Sequence, residues 1–84
     1  MDYNIMPLSD ASIGDRVKVI EIDGGRKVTN RLMELGIIEG VLLDVVNCGG
    51  GPLIITVGNS RFALGQGVAK KIKVEKLNEN VSIN

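Results

Sequence analysis

The chain has 84 residues, with ten Lys and Arg against ten Asp and Glu, and no histidine. A chain of this length makes one domain that buries roughly 60–65% of its unfolded surface, and with one Tyr, one Phe and no Trp its core must be aliphatic. Balanced charge speaks against non-specific nucleic-acid binding, which depends on phosphate neutralisation, and no apolar run approaches the roughly 18–20 residues of a membrane-spanning helix.

Residues 7–12 read as an irregular lead-in, and Gly14-Asp15 as the turn that launches the first strand. That strand, residues 16–22, alternates Val17 and Val19 against Arg16 and Lys18, then changes phase, with Ile20 and Ile22 apolar and Glu21 polar. One extra residue swaps the faces of a strand, so the phase change predicts a β-bulge or a barrel corner. Val17, Val19 and Ile22 are assigned to the core, and Ile20 is left open. Asp23-Gly24-Gly25 stops the strand. Residues 27–35 then read as a helix, with Val28, Leu32 and Leu35 at i, i+4 and i+7 on one face. Gly36 stands where a left-handed C-cap favours glycine, and Met33 lies off the apolar stripe.

After a turn at Glu39-Gly40, residues 41–46 form a second strand, apolar except for Asp44. Residues 47–52, rich in glycine, are expected to be a mobile loop. Residues 53–57 and 60–64 follow as strands joined by Gly58-Asn59, the clearest hairpin turn in the chain. Two glycines limit residues 65–69 to a tight turn or a single helical turn. Ile72 and Val74, alternating with Lys71, Lys73 and Glu75, make a short final strand. The expected architecture is mainly β: a small five-stranded Greek-key or SH3-like barrel, with one helix after the first strand and a helical turn before the last. It occupies residues 1–77, and the polar, non-periodic residues 78–84 are expected to be a disordered tail.

The side chains offer little chemistry. Without histidine the commonest general base and the commonest transition-metal ligand are both gone, so catalysis is not expected. Cys48 cannot pair within the chain, which favours a reducing compartment, and a zinc site wants about four ligands. No metal or other cofactor is therefore expected. The glycine clusters lack the Gly-Lys-Ser/Thr of a phosphate loop, and Gly65-Gln66-Gly67 supplies only half of a dinucleotide fingerprint. Residues 1–4 lack a basic region followed by an apolar stretch, so no signal peptide is expected. A cytoplasmic protein without membrane insertion fits best. Residues 1–60 carry five basic and eight acidic residues, net −3, and residues 61–84 carry five and two, net +3. That basic end suits a solvated edge strand better than an RNA surface, because no aromatic stacking platform accompanies it.

The order of signals then becomes specific. Leu8-Ser9-Asp10 and Gly14-Asp15 precede Arg31-Leu32-Met33-Glu34-Leu35-Gly36-Ile37. Gly40, an apolar strand, Gly51-Pro52-Leu53-Ile54-Ile55, Arg61-Phe62-Ala63-Leu64 and a terminal Ile-x-Val follow. This resembles the ferrous iron transport protein A (FeoA) family from about Pro7 to Val74. The most specific segment is similar to the family's R-L-x-E-L-G-[IL]-x-x-G pattern. Two departures stand out: Glu39 replaces the proline usual before the glycine, and Gly65-Gln66-Gly67 replaces a more helical, charged stretch.

The resemblance implies a small SH3-like barrel that serves bacterial ferrous iron uptake as a cytoplasmic accessory. Its implied partner is a FeoB-type membrane permease, through the cytoplasmic GTP-binding region; direct iron binding is not implied. A non-catalytic docking module is the leading expectation, with Arg31, Met33, Ile37, Ile38 and Arg61 as candidate partner-facing residues. For Met33, Ile37 and Ile38 core packing is an equal alternative. An SH3-like protein- or nucleic-acid-binding module unrelated to iron is the other function carried forward. Its polyproline form fails, because two aromatics cannot line such a groove.

Overall fold

The computed structural model describes residues 5–47 and 49–77. Cys48 and the expected tail at 78–84 lie outside the described residues. Six strands form one antiparallel sheet: β1 (Ile5–Pro7), β2 (Arg16–Ile22), β3 (Leu42–Asn47), β4 (Leu53–Val57), β5 (Ser60–Leu64) and β6 (Ile72–Lys76). Their order across the sheet is β1-β6-β2-β3-β4-β5. Helix α1 (Gly25–Glu34) follows β2, and the single turn α2 (Gln66–Ala69) precedes β6.

The strand count corrects the expected five to six. The additional strand is β1, of which the sequence reading covers only Pro7, as the start of an irregular lead-in, and it pairs Ile5, Met6 and Pro7 with Glu75, Val74 and Lys73. Three residues ending in proline are too few to display a period of two, and a 3-10 turn over Leu8–Asp10 follows at once. Proline is tolerated here because the strand lies at the sheet edge. The pairing is a tertiary event, in which β6 offers an edge that the lead-in fills.

The phase change in β2 corresponds to a slip of register against β6. Val19 stands opposite Val74 and Glu21 opposite Lys73, which leaves Ile20 as the extra residue. Val17 and Val19 are buried and Ile22 packs half-buried against the core, whereas Ile20 is outside the cluster. A second irregularity, between Val45 and Asn47 in β3, falls in a nearly continuous apolar run where no alternation exists to betray it. Inward pairs then repeat strand by strand: Leu43 and Val45, Leu53 and Ile55, Ile72 and Val74, all buried. No polar or charged residue is buried among the described residues, so the core is held by apolar packing alone.

Helix α1 begins two residues earlier than its periodicity suggests, and its end carries the most specific sequence segment. The Ile37 amide donates to the Leu32 carbonyl at 2.9 Å, and the Gly36 amide donates to the Met33 carbonyl at 2.9 Å. These are the two bonds of a Schellman motif. Gly36 has φ +87°, the left-handed conformation the motif requires at that position. Leu32 and Ile37, both buried, supply the hydrophobic contact that closes it. Arg-Leu-Met-Glu-Leu-Gly-Ile is thus largely a helix stop signal. Ile37, with 0% exposure, is core and leaves the candidate partner-facing set.

Candidate docking groove

The apolar stripe of α1 is wider than the sheet needs. Leu32 sinks into the core, while Val28 and Leu35 beside it remain half-buried. Across from them stand Phe62 on β5 and Val68 on the α2 turn, also half-buried and packed against the core. Between these two walls runs a groove of about 740 Å³. The helix contributes Lys27, Val28, Arg31, Leu32 and Leu35, and the opposite wall is Phe62, Ala63, Leu64, Gly65 and Val68. α2 is tied down by a bond from Gln66 Nε2 to the Gly51 carbonyl at 3.0 Å.

The charge of the groove has one sign. Lys27 and Arg31, one helical turn apart, are its only ionic lining residues among those described, and both are exposed. Ion pairs among the described residues lie elsewhere: Arg16 Nε to Asp44 Oδ1 at 2.8 Å and Lys76 Nζ to Asp15 Oδ1 at 3.5 Å. Among the described residues the two groove cations therefore have no carboxylate partner.

The β wall is a sheet edge. Among the described residues strand β5 pairs with β4 alone, in uninterrupted register from Leu53–Leu64 to Val57–Ser60. Val57 and Ser60 close the two-residue turn and form its hydrogen-bonded pair, so alternation directs the amides and carbonyls of Phe62 and Leu64 toward β4. Those of Arg61 and Ala63 point off the open edge by the same rule.

Of the residues singled out in the sequence, only Arg31 lines the groove. Arg61 belongs to β5 next to that wall, opposite Thr56 and in one cross-strand row with Asp44 and Arg16. Met33 and Ile38 are exposed, at 53% and 47%, outside the groove lining. Lys27, Phe62, Ala63 and Val68 were not singled out as site residues. The available signal was the repeat of Lys27-Val28 at Arg31-Leu32, a cation beside the first two of the three stripe residues. Among the described residues no cluster of three or more His, Cys, Asp or Glu side chains could hold a metal, and no helix is long and apolar enough to cross a membrane.

The FeoA domain family matches residues 6–76 of the chain. A protein of Methanocaldococcus jannaschii, provisionally named Fe(2+) transport protein A, is 42% identical over 69 residues, covering 82% of this chain and 84% of that one. A crystal structure of an iron uptake regulatory protein (FeoA) superposes with a TM-score of 0.81 at 38% identity, over 87% of this chain and 97% of that one. The zinc complex of FeoA from Stenotrophomonas maltophilia, described as a prokaryotic SH3 domain protein, has a TM-score of 0.74 at 32% identity. That likeness covers 82% of this chain and 88% of that one, and the fold is SH3-like as expected.

Proposed function

Because the chain belongs to the FeoA family, we propose that it is a non-catalytic accessory of ferrous iron uptake that works in the cytoplasm. It docks on the GTP-binding region of a FeoB-type permease and modulates it. The observation that carries this reading is the α1–β5 groove, apolar in its floor, cationic at its rim and bounded by a free strand edge. Such a surface suits a polypeptide better than a reacting small molecule. The chain's lack of histidine supports a binding role, since no nucleophile–base constellation stands out in the sequence.

The test is an NMR titration of the labelled chain with the cognate permease's GTP-binding domain, loaded with GDP or with a non-hydrolysable GTP analogue. Amide shifts are expected along residues 27–35 and 60–68. Absence of binding with either nucleotide would overturn the reading. A parallel assay of GTP hydrolysis, with wild type and Arg31→Ala, separates docking from catalytic assistance by an arginine. Docking alone predicts that saturating wild type and saturating variant leave the same turnover.

A further inference from the structure

We propose that the groove receives an extended, acidic segment of the partner, which adds to the sheet as a strand beside β5. This rests on the docking role of the groove and specifies how the partner is held. Three features of the groove converge on it.

The first is the edge. Natural sheets defend their edges with short strands, proline, bulges or charge, because unpaired amides and carbonyls invite another chain. Strand β5 has five residues, an unbroken register and no proline, and its one charged residue is Arg61. At about 3.3 Å per residue it spans roughly 17 Å, room for about five partner residues. The main-chain groups of Arg61 and Ala63 supply the new ladder.

The floor is the second feature. A strand laid beside β5 would lie over Val28, Leu35, Phe62 and Val68, with alternate side chains directed into them. The partner segment must therefore be apolar at every second position. The remaining positions face the other side of the sheet, where β5 presents the exposed Arg61.

Charge is the third. Lys27 and Arg31 line the groove and, among the described residues, form no ion pair, and no acidic residue is among those that line it. Carboxylates between the apolar residues would meet Arg61 on the outer face, in the paired geometry arginine offers, and the positive field of Lys27 and Arg31 at the rim draws an acidic segment in. A basic segment would meet two like charges. The same argument disfavours a second copy of this chain, since β5 against β5 brings two sets of Lys27, Arg31 and Arg61 together.

The test uses three blocked eight-residue peptides: alternating valine and glutamate, the same with lysine for glutamate, and the valine–glutamate peptide N-methylated at alternate residues. Binding is read from amide shifts and from hydrogen exchange at Arg61 and Ala63. The expected result is that the valine–glutamate peptide binds and slows exchange of the Ala63 amide. Loss of two ladder bonds predicts binding of the N-methylated peptide weaker by about tenfold or more. The lysine peptide, and the variant Arg31→Glu with the acidic peptide, are each expected to lose about tenfold or more. Ala63→Pro removes an amide that points off the edge, so it should abolish binding while the hairpin keeps its fold. Equal binding of the N-methylated or the lysine peptide would overturn the proposal, as would shifts confined to other surfaces or self-association of the free chain through β5. If the permease domain binds without protecting Arg61 and Ala63, strand addition falls and the docking role stands. If the acidic peptide binds along β5 and the domain does not bind at all, the docking role falls and strand addition stands.

Discussion

At one end of the sheet, β1 stops after three residues, finishes in Pro7 and hands the chain to a buried Leu8. At the other end, β5 runs five residues in unbroken register, and its outer side faces a groove rather than a cover. Both are edges of the same antiparallel sheet, yet only β1 carries the usual defences of shortness and proline. The difference teaches that this fold does not treat edge exposure as a uniform hazard. One edge is closed by local sequence, while the other is kept regular and placed opposite a helix bearing Lys27 and Arg31.

An edge strand closed by local sequence should contribute less than the strand that backs the open edge. Leu53 is fully buried on β4, opposite Leu64 of β5. Leu53→Ala should lose about 2–5 kcal/mol in urea unfolding, with the spread set by how far the cavity collapses. Met6 on β1 is only half-buried, and Met6→Ala should cost about 1 kcal/mol, below that range. Equal losses at the two sites would break the comparison.

The helix wall depends on its cap. A Cβ at Gly36 would come no closer than 3.9 Å to Val57, so space is available and the penalty is conformational. Gly36→Ala should cost about 1–2 kcal/mol, measured in the same way. A neutral result would mean that the left-handed cap does not hold the end of the groove. The turn that follows offers a control in the other direction. Val41 N–H donates to the Ile38 carbonyl at 3.1 Å and Gly40 has φ +92°, the pattern of a type II turn with Glu39 at the position that favours proline. Glu39→Pro should stabilise by about 0.4–1 kcal/mol and leave docking unchanged, since it touches neither edge. Smallest of all is Asp44→Asn. The Arg16–Asp44 pair is about half exposed on both sides, so its loss should change stability by less than about 1 kcal/mol.

What could be read in advance follows from range. The bulge at Ile20 was legible because alternation on both sides makes a phase change visible, and the helix end was legible because glycine advertises a left-handed cap. The same motif could have placed Ile37 correctly, since the residue after such a glycine packs back on the last turn, here on Leu32. β1 was not legible, because three residues hold no period and their partner lies about seventy residues away. The groove was hidden for a similar reason. It needs residues 27–35 and 62–68 brought together, and only Arg31 among the candidates happened to lie on the side that faces β5. Met33 and Ile38, for which core packing was an equal alternative, are exposed, but exposure alone does not gather residues into a site.

The most direct measurement is amide hydrogen exchange on the full chain, free and saturated with the cognate permease's GTP-binding domain. Strand addition predicts that the Arg61 and Ala63 amides slow by about tenfold or more on binding, while the amides of Ile5 and Met6 exchange as before. Unchanged exchange at Arg61 and Ala63 in a saturated complex, or protection that appears on β1 instead, would contradict it.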